Sequence, residues 1–281
     1  MTQPLTSPAA TTLGATTFEW GVRTHVMGVI NATPDSFSGD GVLDPSAAAE
    51  QARRMVEDGA ALLDIGAESS RPDHDAIDAA EEWGRLAPVL TAVRATVDVP
   101  ITVDTTKAAV AERAFDAGAD ALNDIDGLRS DRELAPLLAR VARPAVVMHN
   151  QRRREFSGDV IADIRAGLGE SIAIAERAGV AREQLILDPG FGFGWSVEQN
   201  LEMVGRVGEL RALGLPLLLG TSRKSTIGAV LDRPEGERLW GTAATIALAA
   251  QARVDIVRVH DVREMADVVR LTDAVVRGPA S

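Results

Sequence analysis

Short apolar runs alternate along the chain with longer stretches rich in alanine, leucine and charged residues. The short runs end in polar or glycine-containing turns, a pattern that is typical of buried strands. They predict strands at 25–31, 61–66, 101–105, 121–125, 145–149, 185–189, 216–221 and 256–260. In the longer stretches apolar positions recur every three to four residues, which is the period of an α-helix. They predict helices that include 45–58, 79–94, 108–117, 198–213 and 239–252.

This alternation of strands and helices predicts a parallel sheet covered by helices. About eight such units in about 250 residues favour a (β/α)₈ TIM barrel of the α/β class, with a doubly wound open sheet as the alternative. No proline-rich linker or shift in composition divides the chain, so we expect a single barrel domain over residues 23–278. Residues 1–22 are rich in Thr, Ser, Ala and Pro, and we expect them to form a flexible N-terminal tail.

The composition excludes several classes of protein. The net charge of the 281 residues is −12, so no overall positive field would hold nucleic acid or an anionic membrane. A phosphorylated ligand would therefore need a local cationic pocket. The absence of cysteine excludes disulfides, thiolate metal sites and cysteine nucleophiles, and it fits a cytoplasmic protein. Beyond the predicted tail, the longest uncharged stretch, 239–252, is too short to cross a bilayer.

Polar side chains cluster where the predicted strands end, although strands of a parallel sheet are normally apolar on both faces. The clusters contain Asn31, Asp64, Asp104, Asn123, Asp124, His149, Asn150, Asp188, Arg258 and His260. Taken singly, an Asp or Asn in this position is most often a helix cap or a turn former. In a barrel, however, all these strand ends lie on one face, where the active sites of TIM-barrel enzymes form. The convergence of the clusters therefore predicts an enzyme.

The residue types at these ends indicate the chemistry of a ligand. Asp104, Asn123 and Asp188 would suit a flat heterocycle with several N–H donors, because a carboxylate that faces two parallel donors makes a strong, directional contact. The predicted ligand is therefore a planar ring bound deep in the barrel.

Cationic groups at the rim of the same face would meet a phosphate. Arg258 and His260 alternate along one strand, so their side chains point the same way and favour an anion. Lys224 and Arg71 belong to loops that follow two other predicted strands. The glycine run at 190–194 lacks the spacing of a dinucleotide fingerprint, which excludes a nicotinamide site. The histidines lack the spacing of a zinc site.

Eight ordered segments resemble the dihydropteroate synthase family over nearly the whole chain. They are VMGVINATPDSFSGDG, LLDIGAESSRP, ITVDTTK, ALNDIDG, VVMHN, LILDPGFGFG, LPLLLGTSRKSTIG and IVRVHDV. The resemblance implies a pterin-binding (β/α)₈ barrel that assembles as a homodimer. It also implies a transferase of folate biosynthesis, a sulfonamide target that uses Mg²⁺. Such an enzyme condenses 7,8-dihydropterin-6-ylmethyl diphosphate with 4-aminobenzoate to give 7,8-dihydropteroate and diphosphate.

The resemblance also implies roles for individual residues. For the pterin ring it implies contacts from Asp104, Asn123, Met148, Asp188, Phe193 and Lys224. For the diphosphate it implies Arg71, Arg258 and His260, with Asn31 at the Mg²⁺ ion. Around the aminobenzoate it implies Phe37, Ser70, Pro72 and Ser225. The catalytic residues that it implies are Asp35, which would stabilise a developing pterin cation, and Lys224 and Arg258.

The reaction expected from this resemblance breaks the carbon–oxygen bond at the pterin methylene, and the arylamine nitrogen then attacks, without a covalent bond to the protein. The sequence departs from the family pattern at Ala67, Ser70, Asp73, Asn150 and Trp195. These departures lie near the predicted mouth of the barrel, so they bear on efficiency more than on reaction type. Two alternatives stay open: a pterin- or methyltetrahydrofolate-binding module of a methyltransferase, and a synthase paralogue of low activity.

Overall fold

The computed structural model describes residues 7–33, 44–69 and 76–278 of the chain. Its strands are β1 (Thr11–Leu13), β2 (Thr16–Phe18), β3 (His25–Asn31), β4 (Leu62–Gly66), β5 (Ile101–Asp104), β6 (Ala121–Asp124), β7 (Ala145–Met148), β8 (Leu185–Asp188), β9 (Leu218–Leu219) and β10 (Ile256–Val259). Its α-helices are α1 (Pro45–Glu57), α2 (Ala79–Arg94), α3 (Ala108–Asp116), α4 (Leu134–Val141), α5 (Val160–Ala178), α6 (Val197–Arg206), α7 (Ser225–Leu231), α8 (Leu239–Gln251) and α9 (Val262–Arg277).

Strands β3 to β10 form one parallel sheet in the order β8-β7-β6-β5-β4-β3-β10-β9. A parallel bridge between Leu187 and Leu217 joins the two ends of this order, so the sheet closes on itself. The predicted (β/α)₈ barrel is confirmed, and the doubly wound open sheet is wrong. Strand β9 covers only two of the six residues predicted at 216–221. Leu217, just before it, forms the bridge to Leu187, and its N–H donates to Asp255 Oδ2 (2.9 Å).

The helices begin where the sequence supplies a capping side chain. Asp44 accepts a hydrogen bond from the amide of Ser46, and Pro45 occupies the first turn of α1, where no amide is needed. Asp78 accepts from the amide of Glu81 (2.8 Å) at the start of α2. These caps satisfy N–H groups that have no partner within the helix. No helix in the described part of the chain is long and apolar enough to cross a membrane.

The inward-facing side chains of the barrel form two layers of opposite character. Because side chains alternate along a strand, every second residue faces the barrel axis. Near the strand starts these residues are apolar and buried: Met27, Leu62, Ala121, Val146, Ile186, Leu218 and Ile256. Two positions later the same faces carry the polar residues Asp64, Asn123, Asp188 and Arg258, together with Val29, Met148 and Gly220. A larger apolar cluster fills the space between the sheet and the helices.

A hairpin of β1 and β2 closes the N-terminal end of the barrel. Leu13, Phe18 and Trp20 are buried in the same cluster as the apolar inner layer, and the indole N–H of Trp20 donates to Thr11 Oγ1 (2.9 Å). The flexible tail predicted for residues 1–22 is therefore wrong for residues 11–20, while residues 1–6 lie outside the described chain. These three large apolar side chains cover the floor of the barrel. Their burial removes apolar surface from water, which stabilises the fold.

We expect Trp20→Ala to lower the free energy of unfolding by about 3–5 kcal/mol, because the substitution leaves a cavity under the barrel. Val22→Ala is the matched control, since Val22 is 61% exposed and its truncation should cost less than about 0.5 kcal/mol. Urea unfolding of both variants measures the difference. Equal stabilities would mean that the hairpin does not contribute to the barrel core.

Candidate active site

The polar layer lies at the C-terminal ends of the barrel strands, and the strand register aligns its members. Asn31 pairs with Gly66, Gly66 with Asp104, and Asp104 with Asn123, so these four residues form one row across β3, β4, β5 and β6. Gly66 gives the carboxylate of Asp104 its room, because a Cβ at position 66 would lie 3.3 Å from the Cβ of Asp104. The row brings together three residues that the sequence predicts in the site.

A network of charged groups crosses the barrel just below this row. Arg258 Nε donates to Asp64 Oδ2 (2.7 Å), and Arg258 Nη2 donates to Asp104 Oδ2 (3.2 Å). The amide of Asn123 donates from Nδ2 to the same Asp64 oxygen (3.0 Å), and the hydroxyl of Thr102 donates to Oδ1 of Asp64. The side chain of Asp64 is fully buried, whereas Arg258 is about one-fifth exposed. The guanidinium therefore lies between the barrel interior and its mouth.

Burial controls the protonation of the two carboxyl groups predicted to bind the ring. The pKa of Asp104 is raised to about 8, first by burial and then by the nearby charge of Asp64, while Arg258 opposes the rise. Burial also raises the pKa of Asp188, against the lowering effects of Lys224 and of the hydrogen bond from the Gly190 amide. A ligand that offers N–H donors would stabilise the ionised forms of both groups.

Lys224 reaches the same space from the opposite side. It precedes α7, and its Nζ donates to the carbonyl oxygen of Phe191. The ammonium group also lies 4.7 Å from the ring centre of Phe193, a cation–π contact. Burial lowers the pKa of Lys224 to about 8, while the charge of Asp188 opposes that shift. The lysine is therefore a buried cation that faces a buried carboxyl group.

The turn before Lys224 is held from two sides. Arg223 has a φ of +57°, a strained value for a residue with a side chain. Its guanidinium forms an ion pair with Asp261, with Nε 3.0 Å from Oδ2, and its carbonyl oxygen accepts from Arg238 Nη1 (2.8 Å). These contacts fix the direction of Lys224, and they link this turn to the residue that follows His260.

Aromatic and apolar groups form one side of the mouth. Met148 is buried at the end of β7, and Phe193 is buried in the glycine-rich turn after β8. The guanidinium carbon of Arg152 lies 4.8 Å from the ring centre of Phe193. The ring of Phe193 therefore makes cation–π contacts with both Lys224 and Arg152. The sequence suggested no role for Arg152.

His260 is a hydrogen-bonding group and not a charge in this structure. Its Nδ1 lies 3.0 Å from Ser222 Oγ, so the serine hydroxyl fixes the direction of the ring. Burial, followed by the charges of Arg258 and Arg223, lowers the pKa of His260 to about 3. The neutral imidazole can offer an anion one N–H donor but no positive charge.

Several predicted residues lie outside the part of the chain that the structure describes: Asp35, Phe37, Ser70, Arg71, Pro72 and Asp73. The structure places Asn31 at the end of β3 and Ser225 at the first position of α7, next to Lys224. In the described residues no group of three acidic or histidine side chains could hold a metal ion. Asn31, the one metal ligand that the sequence predicts, lies within the described residues.

Two of the departures from the family pattern have structural explanations. Trp195 is buried, and its ring centre lies 5.6 Å from that of His149. Asn150 donates from Nδ2 to Asp126 Oδ1 (2.8 Å), which ties the turn after β7 to the turn after β6. Ala67 is also buried. Trp195 and Asn150 therefore support the turns around the mouth.

The sequence reasoning assigned no role to the charged groups beneath these turns. Lys107 Nζ donates to Glu68 Oε2 (2.6 Å) and to Glu82 Oε2 (2.7 Å), and Glu82 is almost fully buried. Asp64 is visible in the sequence as a polar residue near a strand end, but the sequence alone indicates no role for it. Its signal in the sequence is a charge between two apolar residues within a predicted buried strand.

Comparisons with known proteins agree with the barrel fold. The signature of the pterin binding enzyme family matches residues 27–260. A dihydropteroate synthase from Synechocystis sp. is 42% identical over 278 residues, covering 96% of this chain and 96% of that relative. A dihydropteroate synthase structure from Clostridium difficile, solved in the presence of pteroic acid, has a TM-score of 0.88 at 44% identity, covering 92% of this chain and 99% of that chain. The Xanthomonas albilineans dihydropteroate synthase solved with 4-aminobenzoic acid has a TM-score of 0.88 at 37% identity, covering 96% and 98% of the two chains.

Lys107 and Lys224 are the only lysines in the sequence, so their amines can be followed separately. After reductive methylation with ¹³C-formaldehyde, we expect the Lys224 signal to titrate with a pKa near 8, because burial disfavours its charge. The pKa of Lys107 is raised by its two carboxylate partners, so its signal should titrate above the ordinary value for lysine. NMR from pH 6 to 11 measures both, and Lys107→Arg assigns the signals. Two coincident titrations near the ordinary lysine pKa would contradict the burial of Lys224.

Proposed function

The chain belongs to the dihydropteroate synthase family of pterin-binding enzymes, and we propose that it uses the mouth of its barrel to join 7,8-dihydropterin-6-ylmethyl diphosphate to 4-aminobenzoate. Members of this family are transferases of folate synthesis. One observation carries the assignment of the site: the buried side chains of Asn123 and Asp188 lie at one end of the barrel with the partly buried side chains of Asp104, Lys224 and Arg258. Two relatives that were solved with pteroic acid and with 4-aminobenzoic acid support small-molecule substrates of this kind.

Asp104, Asn123 and Asp188 would recognise the pterin ring by its hydrogen-bonding edge. Asp188 is buried and the side chain of Asp104 is 18% exposed. Burial raises the pKa of both carboxyl groups, so N–H donors on a flat ring would stabilise their ionised forms. Asn123 already donates from Nδ2 to Asp64, which leaves its Oδ1 as the acceptor for the ring. Phe193 and Met148 would contact the faces of the ring, and Lys224 would reach a ring acceptor. A ring in this position would be shielded from solvent.

Arg258 and His260 would hold the diphosphate. Arg258 supplies a guanidinium that partly faces the mouth, and the neutral imidazole of His260 supplies a donor without repelling a nearby cation. Arg71 would add a second guanidinium from the loop after β4, but it lies outside the described residues. Arg258 and Arg71 would thus neutralise the negative charge of the leaving diphosphate, and His260 would orient it by a hydrogen bond.

Asn31 fits a Mg²⁺ ion that is held mainly by the substrate. Mg²⁺ usually keeps several waters and binds substrate phosphates together with one or two protein oxygens. A single amide oxygen at the end of β3, with no acidic cluster among the described residues around it, agrees with this kind of site. When bound, Mg²⁺ would neutralise part of the negative charge on diphosphate.

The proposed reaction is an alkyl transfer without a covalent enzyme intermediate. The bond between the pterin methylene carbon and the diphosphate oxygen breaks, and its electron pair leaves with diphosphate. The lone pair of the arylamine nitrogen then forms the new bond to carbon, and the nitrogen loses a proton to water. Lys224 and Arg258 would stabilise the charges that develop near them, and Asp35 is expected to stabilise the pterin cation. Ser225, together with Phe37, Ser70 and Pro72, would contact 4-aminobenzoate.

We expect the wild-type protein to form dihydropteroate and diphosphate from the two substrates. We also expect Asp188→Asn to weaken the binding of a dihydropterin at least about tenfold. The variant amide would keep its oxygen on the Gly190 N–H and turn a donor toward the donors of the ring, a loss of roughly 1.5–3 kcal/mol for a charged hydrogen bond. Product chromatography and calorimetric titration measure the two effects.

Asp255→Asn is the control for this experiment. Asp255 is also buried, but it accepts from the amides of Gly21 and Leu217 at the opposite end of the barrel. Its variant should bind dihydropterin within twofold of the wild type. Pterin binding without product would favour a binding module or a weak paralogue, and unchanged binding by Asp188→Asn would remove this residue from the site.

We also propose that the protein assembles as a homodimer through helices α7, α8 and α9. Six of the nine large apolar side chains that are exposed in the described chain lie on these helices: Val230, Leu231, Trp240, Leu248, Leu271 and Val275. Helix α8 packs between the other two, so these side chains share one side of the barrel. Apolar groups concentrated in this way are typical of a surface that another protein covers, and a second copy of the chain is the proposed partner.

We expect Trp240→Glu to convert a dimer into a monomer, because Trp240 is 80% exposed in the single chain and a dimer would bury a charge at that position. Sedimentation equilibrium measures the mass, with 29.7 kDa for one chain. Val22→Glu, which changes an exposed valine outside these helices, should stay dimeric. A monomeric wild type, or a dimeric Trp240→Glu variant, would contradict this interface.

A further inference from the structure

We propose that Asp64 is a positioning residue, which directs the amide of Asn123 and the guanidinium of Arg258 toward the substrate without contacting the substrate itself. The inference rests on the proposed function, because it concerns how that site is kept in its binding geometry. It adds to the site a residue that neither the strand-end pattern nor the family resemblance assigned a role. Three observations support it: the depth of Asp64, its partners and the chemistry of a carboxylate.

Asp64 lies on β4 two residues before Gly66, the register partner of Asp104, and is therefore deeper in the barrel than that carboxyl group. Its register partner on β5 is Thr102, two residues before Asp104, and its side chain has no exposed surface. The hydroxyl of Thr102 holds Oδ1, which leaves Oδ2 to the two residues above it. A side chain at this depth cannot reach a ligand in the mouth except through its neighbours.

The carboxylate decides which way the amide of Asn123 faces. An ionised carboxylate only accepts hydrogen bonds, so Asn123 must turn Nδ2 toward Asp64. The distance from Nδ2 to Oδ2 is 3.0 Å. The opposite atom, Oδ1, then faces the ligand space as an acceptor. Without Asp64 the amide could turn over and present a donor to a ring edge that consists of donors.

The same oxygen fixes the guanidinium of Arg258. Nε donates to Asp64 Oδ2 at 2.7 Å, and Nη2 donates to Asp104 at 3.2 Å. Because these two contacts use one edge of the planar group, the remaining N–H groups point away from the two aspartates. One buried oxygen therefore links the residue proposed to read the ring with the residue proposed to hold the diphosphate.

The test compares Asp64→Val with Asp64→Asn by calorimetric titration of a dihydropterin alcohol. Asp64→Val removes the acceptor, and we expect the dissociation constant to rise at least about tenfold, the loss of one hydrogen bond to a charged group. Asp64→Asn keeps an oxygen in the same place, and the hydroxyl of Thr102 can accept from the new amide, so affinity should stay within about threefold. Wild-type affinity in Asp64→Val would overturn the proposal, and so would an equal loss in both variants.

Asp124→Asn is the matched control. Asp124 is as deeply buried as Asp64 and lies next to Asn123 in β6, but it accepts from the backbone amides of Asp126 and Leu128. Its variant should bind the dihydropterin alcohol within twofold of the wild type. A loss equal to that of Asp64→Val would show that any buried carboxyl group at this level matters, and would overturn the positioning role.

A reciprocal exchange covers the case in which Asp64→Val does not fold. In Asn123→Asp two carboxylates face each other, so affinity should fall as the pH rises and their shared proton leaves. In the double variant Asn123→Asp/Asp64→Asn, the new amide at position 64 donates to the new carboxylate at position 123, which now faces the ring. Affinity should recover to within about threefold of the wild type. Failure of the double variant to bind better than Asn123→Asp at pH 9 would overturn the proposal.

A readout without ligand separates this inference from the proposed function. In the wild type, the side-chain N–H₂ of Asn123 and the Nε–H of Arg258 should exchange slowly with solvent, because both donate to a fully buried oxygen. NMR should show at least about tenfold faster exchange in Asp64→Val than in Asp124→Asn, as the hydrogen bond is lost. Unchanged exchange would overturn the positioning role. Slow exchange in a wild type that binds no dihydropterin would instead overturn the proposed function alone.

Discussion

The two-residue period of a β-strand decides both what fills this barrel and where its chemistry lies. Each strand keeps one face toward the axis, so a residue and the next but one on the same strand share the interior. Ile186 is followed on that face by Asp188, and Ile256 by Arg258. A one-residue slip in any strand would exchange these layers for side chains that pack against the helices. The apolar floor and the polar layer above it therefore depend on the same register.

The polar layer contains more buried acids than bases, and this imbalance shapes what it can bind. Asp64 has Arg258 as a close partner, but Asp104 must share the same guanidinium at a longer distance. Burial raises the pKa of Asp104 and of Asp188, and the nearby charge of Asp64 adds to the rise in both. Such a layer favours a neutral ring with N–H donors over an anion. An anionic group is better held nearer the mouth, where Arg258 is partly exposed.

The sequence predicted the barrel well because its signals are local and repeated. Eight apolar runs with polar ends predicted all eight barrel strands, and the seventh, β9, is much shorter than its apolar run. The hairpin was missed because β1 and β2 have three residues each, too few to show a period. The apolar residues Leu13, Phe18 and Trp20 were its available signal.

Within the site, residue identity could be predicted, but direction and protonation could not. Asp188 and Lys224 follow strand ends that any barrel would bring to one face, so their convergence followed from the topology. That Lys224 is buried and lies over Phe193 depends on the turn at Arg223, whose φ is not visible in the sequence. The role of Asp64 required the distances to Asn123 and other side chains, which only the folded chain supplies.

The ion cluster beneath the mouth connects the rigid barrel to the loop that follows β4. Glu68 accepts from the backbone amide of Ile77 through Oε1 (2.9 Å) and from Lys107 through Oε2. One carboxylate therefore joins the two ends of that loop to each other and to the start of α3. Lys107 also neutralises Glu82, which is nearly inaccessible to water, and removing one partner of such a pair is far more costly than breaking an exposed ion pair. Ser70, Arg71 and Pro72 lie between Glu68 and Ile77 in the sequence. The segment expected to meet the second substrate and the diphosphate is therefore anchored at both ends by the carboxylate of Glu68.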